Sequence, residues 1–183
     1  LMEHVDGHIY RDVADLEALG PRAMHGLVLS LVDTLADLHA LDPAAIGLGD
    51  FGRPEGFNER QVRRWKKQLD ASRSRDVPGI EELHARLAVD VPDGDGTVVH
   101  GDYRLDNVLI GPDLDVRAVL DWEMSTLGDP LSDVALLLIY AGQPLLADGR
   151  ASISVPGHPT LAEMTARYAE RSGRDIGDLH WYV

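Results

Sequence analysis

Between His100 and Asp133 the chain sets eight acidic residues against two basic ones, Arg104 and Arg117, in a stretch built around short apolar runs. Thr97-Val98-Val99, Val108-Leu109-Ile110 and Val116 to Leu120 are β-branched or aliphatic, as expected of buried strands. Carboxylates that abut such runs are costly to bury alone. A divalent cation would resolve the conflict, because Mg2+ prefers oxygen ligands and commonly takes one or two from protein and others from substrate phosphates. Gly111-Pro112-Asp113-Leu114-Asp115, between the last two runs, is turn material. The spacing therefore predicts a hairpin with a five-residue loop.

Outside this stretch the pattern is helical. Met24, Leu27, Val28, Leu31, Leu35 and Leu38 recur at three- and four-residue steps after Pro21, predicting a helix from about Pro21 to Ala40. Further helices are predicted over about Asn58–Ser72, Gly79–Ala88, Pro130–Tyr140 and Thr160–Arg171, with a Gly-rich loop from Ile46 to Gly56. The fold class is α+β, mainly helical, with one small β element at its centre. Within 183 residues there are no cysteines, which excludes disulfides, thiolate nucleophiles and Cys-ligated zinc. A formal net charge of −14 argues against gripping nucleic acid or an anionic membrane. No apolar run approaches the ~18–20 residues of a membrane span. A soluble, cytoplasmic protein is expected, with a homodimer compatible with everything seen. Leu1-Met2-Glu3 reads as the tail of a buried strand, and Asp178 to Val183 ends on an aromatic-apolar run without a capping signal. Both suggest a chain trimmed at one or both ends.

His100-Gly101-Asp102, Asn107 five residues after that aspartate, and Asp121-Trp122-Glu123 at the end of the hairpin form one constellation. The hairpin returns Asp121 close to Asn107, so an amide and a carboxylate can share a metal, while Asp102 can meet an incoming hydroxyl. The order matches the kinase catalytic loop followed by its metal-binding aspartate. The motifs also resemble those of the aminoglycoside phosphotransferase-like, or choline-kinase-like, family, whose second motif reads H-G-D-x-x-x-x-N, then a hairpin, I-D-[WF]-E and G-D-P-x-x-D-[LV]-A. This chain supplies His100-Gly101-Asp102, Asn107, Leu120-Asp121-Trp122-Glu123 and Gly128-Asp129-Pro130-Leu131-Ser132-Asp133-Val134-Ala135. Met2 to Gly7 resembles the family's inter-lobe linker, and Arg60 to Trp65 resembles the branch found fused or adjacent to acyl-CoA dehydrogenases.

The resemblance implies a protein-kinase-like C-terminal lobe over residues 8–183 behind a hinge at 1–7, with the N-terminal nucleotide lobe absent from this chain. It implies ATP and Mg2+ as cofactors. Asp102 would orient or deprotonate the acceptor hydroxyl, and Asn107 and Asp121 would hold Mg2+ between the phosphates. The Glu3 carbonyl and Val5 N–H would contact adenine. His100 would brace the loop, Asp133 would anchor its backbone, and Arg104 would face the transferring phosphoryl. The implied partner is a small-molecule hydroxyl acceptor, whether aminoglycoside-, choline- or hydroxyacyl-like.

Blander readings compete at several positions. The acidic hairpin could be merely solvated, although spacing and strand placement agree jointly against that. Asp129 before Pro130 reads equally as a helix cap. Gly47 to Gly52 matches G-x-G-x-x-G but lies between two helices, the wrong context for a nucleotide loop. Residues 60–75 carry seven basic residues and one acid, either a solvated face or a receiver for an anionic acceptor. The only lysines, Lys66 and Lys67, sit there, so the lysine that pairs the α/β-phosphates is expected from an upstream lobe. These 183 residues alone are expected to transfer phosphate negligibly. The rival functions are a metal-dependent phosphohydrolase, which would cleave a monoester without ATP, and a non-catalytic kinase-like binding module.

Overall fold

The computed structural model describes residues 3–143 and 151–183. Its elements are α1 (Val13–Leu19), α2 (Pro21–His39), α3 (Phe57–Ser72), α4 (Ile80–Leu87), β1 (Thr97–Val99), β2 (Val108–Ile110), β3 (Val116–Val119), β4 (Thr126–Gly128), α5 (Pro130–Gly142), α6 (Leu161–Ser172) and α7 (Leu179–Tyr182).

Helix α2 is the spine. Its apolar stripe, Met24, Leu27, Val28, Leu31, Val32 and Leu35, is buried, as a 3.6-residue period requires of a helix with one core face. That stripe meets Leu131, Val134, Leu137 and Leu138 of α5, and Met164 and Tyr168 of α6, in one core cluster. Helix α6 is further clamped to α2 by two bidentate pairs. Arg167 donates to both Asp33 oxygens at 2.7 Å, and Arg171 to both Asp37 oxygens at 2.9 and 2.8 Å. The Arg167–Asp33 pair is half-buried and the Arg171–Asp37 pair exposed; bidentate geometry makes such pairs stronger than ordinary surface ion pairs.

The β component is two separate two-stranded antiparallel sheets, β1 with β4 and β2 with β3. The β2–β3 hairpin is the one expected from sequence, with a register irregularity between Leu109 and Ile110. Pairing of β1 with β4, Val98 opposite Leu127, was not expected, nor was α1. The chain before α1 docks on the hairpin edge, where His8 N–H donates to the Ile110 carbonyl at 2.8 Å and Ile110 N–H returns the bond at 2.9 Å. Leu1 and Met2 lie outside the described residues. Glu3 is exposed and in no strand, so the expectation of a buried strand tail is corrected at that residue: an unpaired carboxylate stays in solvent.

The start of α6 is a complete capping box. Thr160 Oγ1 accepts from Glu163 N–H, and the Glu163 carboxylate accepts from Thr160 N–H at 2.7 Å, satisfying two otherwise orphaned donors. Those Thr160 bonds, the backbone one foremost, hold the Glu163 carboxyl below the usual carboxylate range. A carboxylate depressed in the folded state contributes stability above its unfolded pKa, about 4.3, and loses it as pH falls through the folded value. Thr160→Ala should therefore lower the urea midpoint at pH 7 without changing the m-value. The gap from wild type should narrow in unfolding curves taken at successively lower pH below 4.

Candidate active site

Strand β1 hands directly into His100, and α5 runs back beside β1. Asp133, in the first turn of α5, thereby meets the start of the loop that follows β1. Its carboxylate is fully buried and accepts from His100 N–H at 2.6 Å and Gly101 N–H at 2.8 Å. Buried His39, at the end of α2, completes the set with Nε2 3.3 Å from Asp133 Oδ2 and Nδ1 2.8 Å from the Tyr168 hydroxyl. Burial pushes the Tyr168 phenol up, so it remains an O–H donor to Nδ1 and leaves Nε2–H to face the carboxylate. Three donors converge on this buried charge, the arrangement that makes such burial tolerable.

Gly101 has φ +85°, and a Cβ there would sit 2.8 Å from Met124. Only glycine takes both that conformation and that approach without strain. Beyond it, the buried His100 ring links the two halves of the site. His100 Nε2 donates to the Leu120 carbonyl at 2.8 Å, and Nδ1 accepts from Asp102 N–H at 3.2 Å. This partner pattern selects the Nε2–H tautomer. The ring also packs against Trp122, centroids 4.8 Å apart. One imidazole thus ties the Asp102 loop to the residue preceding Asp121.

Asn107 ends a short 3-10 turn, Leu105–Asn107, and β2 begins at the next residue. Its side-chain NH2 donates to the Asp102 carbonyl at 2.9 Å and to Asp102 Oδ2 at 3.0 Å. An amide held this way commits its nitrogen to Asp102, so Oδ1 is the atom it could offer a cation. Leu120 N–H donates to the Asn107 carbonyl at 2.8 Å, extending the hairpin ladder by one rung and placing Asp121 just past Asn107. Asp121 is exposed and left-handed, φ 63° and ψ 57°, a conformation that aspartate tolerates better than most residues and that often marks functional sites. No group of three or more His, Cys, Asp or Glu among the described residues is arranged to hold a metal. An Asn–Asp pair supplying two oxygens fits Mg2+ that takes its remaining ligands from phosphates and water.

Asp102 has a donor on each oxygen. Asn107 serves Oδ2, and the Tyr140 hydroxyl on α5 donates to Oδ1 at 2.8 Å. Burial first, and the Asp102 carboxylate next, push the Tyr140 phenol up to about 12. Arg104 places Nε 3.6 Å from Asp102 Oδ2 and Nη2 2.9 Å from Asp106, with its guanidinium 5.5 Å over the Tyr140 ring. Arg104 and Tyr140 also border a cavity of about 210 Å³ whose other walls include Val28, Leu137, His158 and Met164.

Of the three residues expected at the site, Asp102 and Asn107 are in direct hydrogen-bond contact, and Asp121 follows Leu120, whose N–H pairs with the Asn107 carbonyl. Glu3 and Val5 lie on the extended segment before His8, and among the described residues no hydrogen bond joins them to that trio. Tyr140 and His39 were missed. Asp129, read as a helix cap, is one: its Oδ1 accepts from Leu131 N–H at 2.9 Å. Much of the basic run is neutralised locally, Lys66 by Asp70 and Glu81, and Arg73 by Asp76 and Glu81.

A loop gripped through two backbone N–H groups and a carboxylate with a donor on each oxygen suit a kinase-like phosphotransferase fold. The chain belongs to the phosphotransferase enzyme family, whose model matches residues 1–179. It is 38% identical over 188 residues to acyl-CoA dehydrogenase family member 11 of Rattus norvegicus, covering 99% of this chain and 24% of that protein. This chain therefore spans about a quarter of the length of that relative. Among solved structures, a Ralstonia eutropha protein assigned to the aminoglycoside phosphotransferases superposes with a TM-score of 0.84 at 34% identity, over 99% of this chain and 57% of that one. An aminoglycoside-3'-phosphotransferase of type VIII shares the fold, with a TM-score of 0.67 at 22% identity, over 98% and 64%.

The Asp133 carboxylate should be the least replaceable side chain here. Asp133→Asn puts an NH2 where an acceptor is needed. It should cost about 1–3 kcal/mol in urea unfolding and speed hydrogen exchange at the His100 and Gly101 amides more than at α6.

Proposed function

We propose that this chain is the acceptor-side lobe of an ATP-dependent phosphotransferase that moves the γ-phosphate to a hydroxyl of a small molecule. The observation that carries this reading is Asp102, fixed by donors on both oxygens, beside Asn107, whose carbonyl pairs across the hairpin with the residue before Asp121. Each Asp102 oxygen keeps a lone pair for the acceptor O–H. As the acceptor oxygen bonds to the γ-phosphorus, its proton passes to Asp102 and the bond from the γ-phosphorus to the bridging oxygen breaks. ADP leaves with that electron pair. Mg2+, held by Asn107 Oδ1 and Asp121, would neutralise charge on the phosphates. Such catalysis rests on positioning and electrostatics, which suits a loop tied down at His100, Gly101, Asp102 and Asn107. The cavity bordered by Arg104 and Tyr140 is the place for the acceptor, whether aminoglycoside-, choline- or hydroxyacyl-like.

The segment at 3–7 would be the hinge, with Glu3 and Val5 toward adenine, and a second lobe would supply the phosphate-covering hairpin and its lysine. Residues 1–183 without such a lobe should bind Mg·ATP weakly and turn it over negligibly.

The test is a hydroxyl-acceptor screen with Mg·ATP on the full-length protein, products identified by mass. Asp102→Asn should then lower kcat by at least about 100-fold, the scale of a lost general base, with ATP affinity little changed. Asn107→Ala should raise the Mg2+ concentration needed for half-maximal rate. Retained turnover in Asp102→Asn would remove the base from the reading. Phosphate release from a monoester without ATP would favour a phosphohydrolase instead.

A further inference from the structure

Helix α5 touches the catalytic loop twice. Asp133 in its first turn takes the backbone of His100 and Gly101, and Tyr140, seven residues on, takes the Asp102 carboxylate. Seven residues are two helical turns, about 10.5 Å of rise, so both side chains lie on one face of one rigid element.

Without Tyr140, Asp102 would be restrained on one oxygen only. Asn107 holds Oδ2, and the nearest cation, Arg104, stands off at 3.6 Å from the same oxygen while its Nη2 engages Asp106 at 2.9 Å. The carboxylate could then rotate about its Cβ–Cγ bond toward Arg104. The phenol blocks that rotation from the opposite side. It also stays a donor across the physiological range, since burial and the adjacent carboxylate push its ionisation up to about 12.

We infer that Tyr140 is a positioning residue that fixes the orientation of the Asp102 carboxylate for phosphoryl transfer. The inference rests on the phosphotransferase reading above. Tyr140 acts through Asp102, and the span from Asp133 to Tyr140 makes α5 a two-point ruler that sets where the loop begins and which way its carboxylate faces.

Tyr140→Phe removes the hydroxyl alone, leaving the ring over Arg104 and the cavity wall intact. The measurement is steady-state phosphate release from Mg·ATP by the full-length protein with water as acceptor, repeated with any hydroxyl acceptor the screen yields. Tyr140→Phe should lower kcat on the order of 10- to 100-fold, the cost of a misdirected reacting group, while KM for ATP stays within about twofold. In the Asp102→Asn background the same change should have no further effect, because groups acting as a unit are non-additive. A structural role would instead lower both backgrounds by the same factor. Equal losses in both backgrounds, an unchanged kcat, or a loss confined to KM would each overturn the inference. A wild-type protein that turns over no Mg·ATP would instead defeat the phosphotransferase reading itself.

Discussion

One buried carboxylate organises this lobe. Asp133 accepts two consecutive backbone N–H groups, from His100 and Gly101, and the Nε2 of His39. Because the backbone of the loop after β1 is pinned, Asp102 can project from a fixed point while its own side chain stays partly open to solvent. Because His39 comes from α2, the same charge ties the loop to the spine of the core. Tyr168 on α6 backs His39, so the three helices that build the core also hold the loop.

The hairpin supplies the second half of the site. Asn107 and Asp121 are brought together by the rung from Leu120 N–H to the Asn107 carbonyl, and His100 ties its own loop to Leu120 through its ring. The amide nitrogen of Asn107 is committed to Asp102, which on the proposed reading leaves its oxygen for a cation. His100, Asp102 and Asn107 each have hydrogen-bond partners that orient them. That preorganisation is what phosphoryl transfer demands of a protein, since the chemistry itself asks for placement and charge neutralisation.

Much of this was legible in the sequence because the decisive spacings are local. Asp102, Asn107 and Asp121 sit within one loop and one hairpin, and Pro130 and Asp133 open a helix whose cap residue, Asp129, is adjacent. The longer helices were legible from their apolar period. Tyr140 and His39 were hidden because their partners lie 38 and 94 residues away, and a tyrosine or histidine on a helix says nothing of what it will face. Strand β4 escaped notice because three residues, Thr126–Gly128, carry too short a pattern to separate from a turn. The basic run on α3 looked like a concentrated positive face because Glu81, which answers both Lys66 and Arg73, belongs to the next helix.

On the proposed reading, the hairpin makes Asn107 and Asp121 one cation site beside Asp102. Anomalous scattering from crystals of the full-length protein grown with Mn2+ and a non-hydrolysable ATP analogue tests it most directly. A peak bonded to both Asn107 Oδ1 and the Asp121 carboxylate, at about the 2.1 Å expected of an octahedral dication, is expected only when nucleotide is present. A peak at the Asp113 and Asp115 turn instead, or one at Asp121 that leaves Asn107 unligated, would contradict it.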